Sequence, residues 1–245
     1  MTLDTRDTAR GHAVRVAGIA SLLATAIVLL ANYGIGFRLS VPGDAVETAH
    51  NIMANETQFR LNVVGDLLYA ATLVVVLAAL DVILRPVNRL LALVAAVSRL
   101  VVVLMWTATA LEMLGALRLL GDEAYLAALG TEARMALARL QLSGGYDAYA
   151  VGLPFWGLAS TVYSYLWLQS RLVPRTLAAC GLIASAWCVL SALAVVVLPT
   201  FADAVDAYWF DSPMVVFETT LALWLAVKGP RLCSFGAQDP GSTRS

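Results

Sequence analysis

Three acidic residues lie inside long apolar stretches of the chain: Asp66, Glu112 and Glu218. Each lies about six residues from the same end of its stretch, a depth of roughly 9 Å at about 1.5 Å per helical residue. Charged groups at membrane depth are costly and commonly mark a functional site. Because neighbouring carboxylates cannot all ionise at low dielectric, one of them would hold a proton and could act as a general acid. These three residues are therefore the catalytic candidates.

Other polar residues would complete a ligand site beside these carboxylates. Arg99 lies about ten residues into its apolar stretch, near the bilayer centre, where it needs a carboxylate, backbone carbonyls or water as a partner. Arg60, Tyr146 and Asp147 lie at shallower positions and are further candidates for ligand binding. The alternative interpretation is structural, because polar side chains also join membrane helices without any chemistry.

Three tryptophans, Trp106, Trp156 and Trp187, fall at middle depth in three different apolar stretches. Aromatic faces stabilise cations, so a pocket wall made of these rings would suit a carbocation or a cationic amphiphile. Packing in the core is the alternative. With two histidines, three cysteines and no C-x-x-C or H-x-x-x-H spacing, the sequence predicts no metal site and no cofactor.

The elements that must position these residues are membrane helices, because 60% of the residues are hydrophobic and only 13% are charged. Soluble domains carry about 25% charged residues. We predict an all-α integral membrane bundle of six transmembrane helices, with short amphipathic surface helices on the outer side. The predicted spans cover residues 14–37, 59–84, 89–118, 146–169, 175–198 and 212–228.

Local signals refine the ends of these helices. Asp44 is placed to cap a short helix, with Glu47 three residues later as in a capping box. Asn88, after the Arg85-Pro86 turn, is placed to cap the third span. Residues 122–142 show helical apolar spacing interrupted by charges, which predicts a separate helix on the membrane surface.

Charge distribution predicts the topology and the location. Arginines such as Arg15, Arg85 and Arg175 fall on one side of the predicted membrane, which indicates the cytoplasmic side by the positive-inside rule. We predict a cytoplasmic tail over 1–13, a transmembrane domain over 14–229 and a polar cytoplasmic tail over 230–245. The expected location is the cytoplasmic membrane, with both termini inside. The chain has no long basic block, so nucleic acid is not an expected partner.

Several short motifs resemble a bacterial membrane family known as domain of unknown function 4386. They are Asn51-Ile-Met-Ala-Asn55-Glu56 with Phe59-Arg60 and Asp66, Leu84-Arg-Pro-Val-Asn-Arg89, Arg99, Gly145-Tyr146, Gly152-Leu153, Phe155-Trp-Gly-Leu158, Val173-Pro-Arg175, Glu218 and Leu223-Trp-Leu-Ala-Val-Lys-Gly229. The resemblance covers nearly the whole chain. It implies the same polytopic topology and marks these residues, but it implies no activity.

The leading hypothesis is that the protein binds a small amphiphile or lipid in an intramembrane cavity in the outer half of the bilayer. The second is an enzyme, concretely a terpene-type cyclase with Asp66 or Glu218 as general acid above Trp106, Trp156 and Trp187. The third is a structural or regulatory membrane subunit with no ligand. The lipid bilayer is the expected partner in each case.

Overall fold

The protein is described by a computed structural model for residues 2–41, 44–121, 128–198, 200–201, 205 and 207–227. Regular structure in these residues is helical, with no strand, which confirms the all-α prediction. The helices are α1 (Thr2–Val28), a π-helical segment (Leu29–Gly36), α2 (Phe37–Leu39), α3 (Ala45–Ala54), α4 (Glu56–Leu84), α5 (Arg89–Leu120), α6 (Thr131–Ser170), α7 (Arg175–Val197) and α8 (Ala207–Val227).

Several of these helices can cross a membrane. By length and composition, four stretches of the described residues are long and apolar enough: Ala9–Leu39, Glu56–Leu84, Arg89–Leu120 and Arg175–Val197. Helices α6 and α8, which contain the other two predicted spans, fall outside this set, and each contains an internal proline, Pro154 or Pro213. The chain is thus a multi-pass membrane protein, and the count of six spans stays a prediction.

Burial along the helices follows the pattern of a protein in lipid rather than in water. Large apolar side chains such as Leu30, Ile183 and Val197 are more than 70% exposed. The fully buried positions are instead rich in alanine, for example Ala92 and Ala159, both at 0% exposure. Small residues let membrane helices approach closely, whereas large apolar residues can face lipid tails at no cost.

The described chain forms two compact units, and their boundaries fall inside α1, α4, α5 and α6. Unit 1 contains the chain up to Leu23, Thr72–Val101 and the described residues from Leu153 onward; unit 2 contains Ala24–Ala71 and Val102–Gly152. Each unit has its own core of buried apolar residues. In unit 1 a close approach requires glycine, because a Cβ atom at Gly18 would lie 2.4 Å from the backbone nitrogen of Ala226.

Helix α6 corrects one expectation from the sequence. The segment 122–142 was predicted to be a separate surface helix, yet its part from Thr131 is continuous with the span through Ser170; residues 122–127 lie outside the described residues. Gly144 and Gly145 do not interrupt the helix. Glycine costs about 1 kcal/mol in a helix interior, and packing offsets this cost here. A Cβ atom on Gly144 would lie 3.3 Å from the Glu112 side chain.

Both predicted caps are confirmed. An oxygen of Asp44 accepts a hydrogen bond from the backbone N–H of Glu47 at 2.9 Å, and Asn88 accepts one from the N–H of Leu91 at 3.1 Å. The last helix begins earlier than predicted, at Ala207, so that Pro213 lies inside it. The predicted C-terminal tail, 230–245, lies outside the described residues.

Candidate functional site

A buried ion pair is the central feature of unit 1. Arg99 on α5 places a guanidinium nitrogen, Nη2, 2.6 Å from Oε1 of Glu218 on α8. The Arg99 side chain is 4% exposed and the Glu218 side chain 25%. Arg99 thus has the carboxylate partner that its predicted depth demands, because a buried guanidinium without a counter-charge would be strongly destabilising.

Helix α6 adds two further donors to the same carboxylate oxygen. The indole N–H of Trp156 donates to Glu218 Oε1 at 3.0 Å, and the Ser160 hydroxyl makes a short hydrogen bond to it. Arg99 also donates to the Ser160 hydroxyl oxygen at 3.2 Å. One oxygen of Glu218 therefore receives three hydrogen bonds from two helices, and we call these four residues the Glu218 centre.

The second oxygen of Glu218 is in a different situation. Among the described residues, none donates a hydrogen bond to Oε2; this atom is not one of the buried polar atoms that lack a partner, so it is not fully buried. The carboxylate is held in position through Oε1 and remains accessible at Oε2. Three donors, one of them charged, satisfy an ionised carboxylate well. This arrangement can accept a hydrogen bond from a ligand.

The polar face of α6 explains how the sequence builds this centre. Trp156, Ser160 and Tyr163 are spaced by four and three residues, so they lie on one side of the helix. Tyr163 is 3% exposed, its hydroxyl has no hydrogen-bond partner among the described residues, and the charges of Arg99 and Glu218 act on it. Ser160 and Tyr163 were not among the sequence candidates. Their spacing from Trp156 is the signal that could have identified them.

Asp66, the second catalytic candidate, belongs to unit 2. It is 0% exposed, and its Oδ1 accepts a hydrogen bond from Asn32 Nδ2 at 2.9 Å. Its other oxygen, Oδ2, is buried without a hydrogen-bond partner in the described part of the chain. Asp66 and Glu218 thus have separate sets of partners, and a site shared by both stays a prediction.

The remaining polar candidates of unit 2 do not form one cluster. Glu112 lies against the glycines of α6, and Tyr146 and Asp147 are exposed. Within the described residues, no hydrogen bond or ion pair links Asp66, Glu112 and Asp147 to one another. Their convergence into one polar site stays a prediction.

Arg60 lies in a cavity of its own in unit 2. It pairs with Glu56, one turn earlier in α4, at 2.7 Å, and both side chains are more than half exposed. The cavity has a volume of about 280 Å³. Its lining combines charged groups with apolar walls: Met53, Glu56, Arg60, Leu114, Leu117, Arg118, Leu120 and Gly121.

The three mid-depth tryptophans have different surroundings. Trp106 packs edge-on against Tyr69, with ring centroids 4.7 Å apart, and against Tyr149 at 6.0 Å, all in unit 2. Trp156 belongs to the Glu218 centre, and Trp187 on α7 is 43% exposed. A common pocket wall of the three rings stays a prediction. Among the described residues, no group of three His, Cys, Asp or Glu side chains could hold a metal ion.

The comparisons with known proteins place the chain in a family without supplying an activity. The sequence profile of a family described as Domain of unknown function (DUF4386) matches residues 16–229. No curated protein and no solved structure is significantly similar to the chain.

Proposed function

The chain belongs to the DUF4386 family, and we propose that it binds a small amphiphile through a hydroxyl group that donates to Oε2 of Glu218. The observation that carries this proposal is the unequal state of the two carboxylate oxygens. Oε1 receives three hydrogen bonds, whereas Oε2 is accessible and receives none from the described residues. A carboxylate fixed in this way is a preorganised acceptor, and the donors on Oε1 need not rearrange when a ligand binds.

The charge of the Glu218 centre favours a neutral headgroup. Arg99 and Glu218 carry opposite charges at 2.6 Å, so their sum is zero. An ammonium headgroup at Oε2 would place a second cation near the guanidinium, and a carboxylate headgroup has no proton to donate. A hydroxyl group can donate without either penalty, and a hydrogen bond to a charged acceptor contributes about 1.5–3 kcal/mol.

The experiment compares two ligands that differ only in the donor. Binding of dodecanol and of dodecyl methyl ether is measured by calorimetry, with the purified full chain in lipid nanodiscs and with empty nanodiscs to subtract partitioning. We expect the wild type to bind the alcohol at least tenfold more tightly than the ether. In Glu218→Gln the charged acceptor is lost, and we expect this preference to fall to about threefold or less.

Glu112→Gln is the matched control, because it removes another carboxylate from an apolar helix and leaves the Glu218 centre intact. It should keep the full preference for the alcohol. Equal binding of alcohol and ether by the wild type would overturn the proposal, and so would an unchanged preference in Glu218→Gln. Either result would favour a structural subunit with no ligand at this centre. Since the wild-type comparison needs no variant, the test holds even if Glu218→Gln is unstable.

We further propose six spans in a bacterial cytoplasmic membrane, with both termini in the cytoplasm and the ligand site in the outer half. The arginine distribution supports this orientation, and the apolar helices support the multi-pass topology. A reporter that is active only in the cytoplasm should be active when it is fused after Ser245. Activity of a periplasm-specific reporter at that position would contradict the orientation.

One observation favours a second candidate, a terpene-type cyclase: the Trp156 ring lies beside the Glu218 carboxylate. A ring and a carboxylate side by side can stabilise a carbocation. Under this hypothesis an acid of the protein would protonate a double bond of a linear isoprenoid such as squalene, and the resulting carbocation would cyclise beside Trp156 and then lose a proton to give the cyclic product. Trp156→Leu should lose this product. Recovery of unreacted squalene from the wild-type protein would count against this candidate.

A further inference from the structure

A second polar site lies in unit 2, where α4 faces the π-helical segment. Asn62 and Asp66 are four residues apart, which places them on the same face of α4. They are 1% and 0% exposed. Asn32, in the π-helical segment, donates from Nδ2 to Asp66 Oδ1 at 2.9 Å. π-Helical turns are rare in proteins, and those that occur inside α-helices frequently lie at functional sites.

The hydrogen bonds around these residues do not balance. Two buried oxygens, Asp66 Oδ2 and Asn62 Oδ1, accept no hydrogen bond from the described residues. The amide nitrogen of Asn62 faces only the Met113 sulfur, at 3.8 Å, and a thioether is a weak acceptor. The cluster therefore has two buried oxygens for which no described residue supplies a donor.

The charge of the cluster is equally unbalanced if Asp66 is ionised. An isolated carboxylate without solvent contact is very costly, and such a group becomes neutral instead. Two features of the described structure affect the Asp66 carboxyl group: its burial, and the hydrogen bond from the neutral amide of Asn32. Neither Asn62 on its own helix nor Met113 on α5 carries a charge, so no described side chain offers a counter-ion.

Packing around the site leaves little room for a larger ligand. A Cβ atom on Gly36 would lie 3.1 Å from Asn62 Oδ1, and one on Gly65 would lie 2.4 Å from the Ala31 Cβ. The π-helical segment and α4 are thus in close contact on both sides of the polar cluster. A proton fits this space without any displacement, whereas a metal ion also needs several more oxygen ligands.

We infer that Asp66 is a proton-binding site, in which the neutral carboxylic acid holds its proton on Oδ2 and donates it to Asn62 Oδ1. One proton corrects both imbalances, because it removes the buried charge and turns a surplus acceptor into a donor. Asn32 donates to Oδ1 whether or not the proton is present, so it fixes the carboxyl group in both states. This inference is independent of amphiphile binding at Glu218.

Infrared spectroscopy of the full chain in lipid bilayers tests this inference. The wild type should show the carbonyl stretch of a protonated carboxylic acid near neutral pH, shifted to lower frequency in D₂O. Asp66→Asn should lose this band and keep its thermal stability, since a neutral amide replaces a neutral acid of the same shape. Glu112→Gln, the matched control, should retain the band.

If Asp66→Asn fails to fold, Asp66→Glu serves instead, because it keeps the acid and should shift the same band. A wild-type spectrum that shows no protonated-acid band near neutral pH would overturn the inference, as would a band that neither variant changes. Stabilisation of the wild type by sodium ions, absent in Asp66→Asn, would assign the site to a metal cation and would likewise overturn it.

Discussion

Removing the Glu218 carboxylate should destabilise the protein more than removing both charges of its ion pair. In Glu218→Leu the Arg99 guanidinium stays behind with its side chain only 4% exposed. Breaking a buried pair in this way costs about 3–5 kcal/mol. Two unit charges about 4 Å apart attract by about 4 kcal/mol at an effective dielectric constant of about 20, which gives the same magnitude.

The double variant Arg99→Met with Glu218→Leu should recover most of this loss. Replacing a buried ion pair with apolar side chains of similar volume is often neutral or stabilising. Arg99→Met alone should cost about 1–3 kcal/mol, less than Glu218→Leu, because Glu218 keeps the donors Trp156 and Ser160 and is more exposed than Arg99.

The assay is equilibrium unfolding in mixed detergent micelles, followed by the loss of helical circular dichroism for the wild type, both single variants and the double variant. The four free energies of unfolding form a double-mutant cycle, which isolates the coupling between the two side chains. We expect a coupling of at least about 2 kcal/mol. A coupling within about 0.5 kcal/mol of zero would refute the view that Arg99 depends on Glu218.

Three smaller perturbations test other parts of the structure by the same unfolding assay. Gly18→Ala should lower the free energy of unfolding by about 1–3 kcal/mol, because its Cβ atom would clash with backbone atoms of α8. Gly34→Ala is the control and should leave the stability unchanged, because the nearest atom to its Cβ would lie 3.9 Å away. Asn88→Ala should lower the free energy of unfolding by about 1 kcal/mol, because α5 loses its N-cap. An unchanged stability would show that this cap does not stabilise the protein. Trp156→Phe removes one donor to Glu218 and should cost about 1.5–3 kcal/mol, and an unchanged stability would contradict the role of this donor.

Much of the fold was predictable because membrane helices are encoded locally. Long apolar runs predict helices, and the caps at Asp44 and Asn88 follow from residue type and spacing. The segment 122–142 was predicted to be a separate surface helix because charges interrupt its apolar spacing, whereas its described part from Thr131 continues into the following span. The packing of Gly144 against Glu112 supports this continuity and depends on tertiary structure. The π-helical segment was not predicted. Its sequence, Leu29 to Gly36, is an apolar run that contains Asn32, Gly34 and Gly36, and it was assigned to the first predicted span.

Arg99, Trp156 and Glu218 of the candidate site were predicted from the sequence, whereas Ser160 and the pairing of these residues were not. The cost of a buried charge requires that Arg99 has a partner, which depends only on depth in the membrane. The identity of that partner depends on tertiary packing, because Glu218 lies 119 residues later in the chain. Asp66 illustrates the same limit. Its depth predicts function, whereas its partner Asn32 depends on a helical irregularity that the sequence does not reveal.

Asp66 and Glu218 differ in the donors to the first carboxyl oxygen and in the accessibility of the second. Glu218 has three donors on Oε1 and an accessible Oε2, so its charge is compensated and a ligand can reach it. Asp66 has one neutral donor on Oδ1 and a buried Oδ2, so its charge would be uncompensated, and the proton inferred above would satisfy this oxygen. Similar residue types at similar predicted depth therefore acquire different chemistry from their donors and their burial.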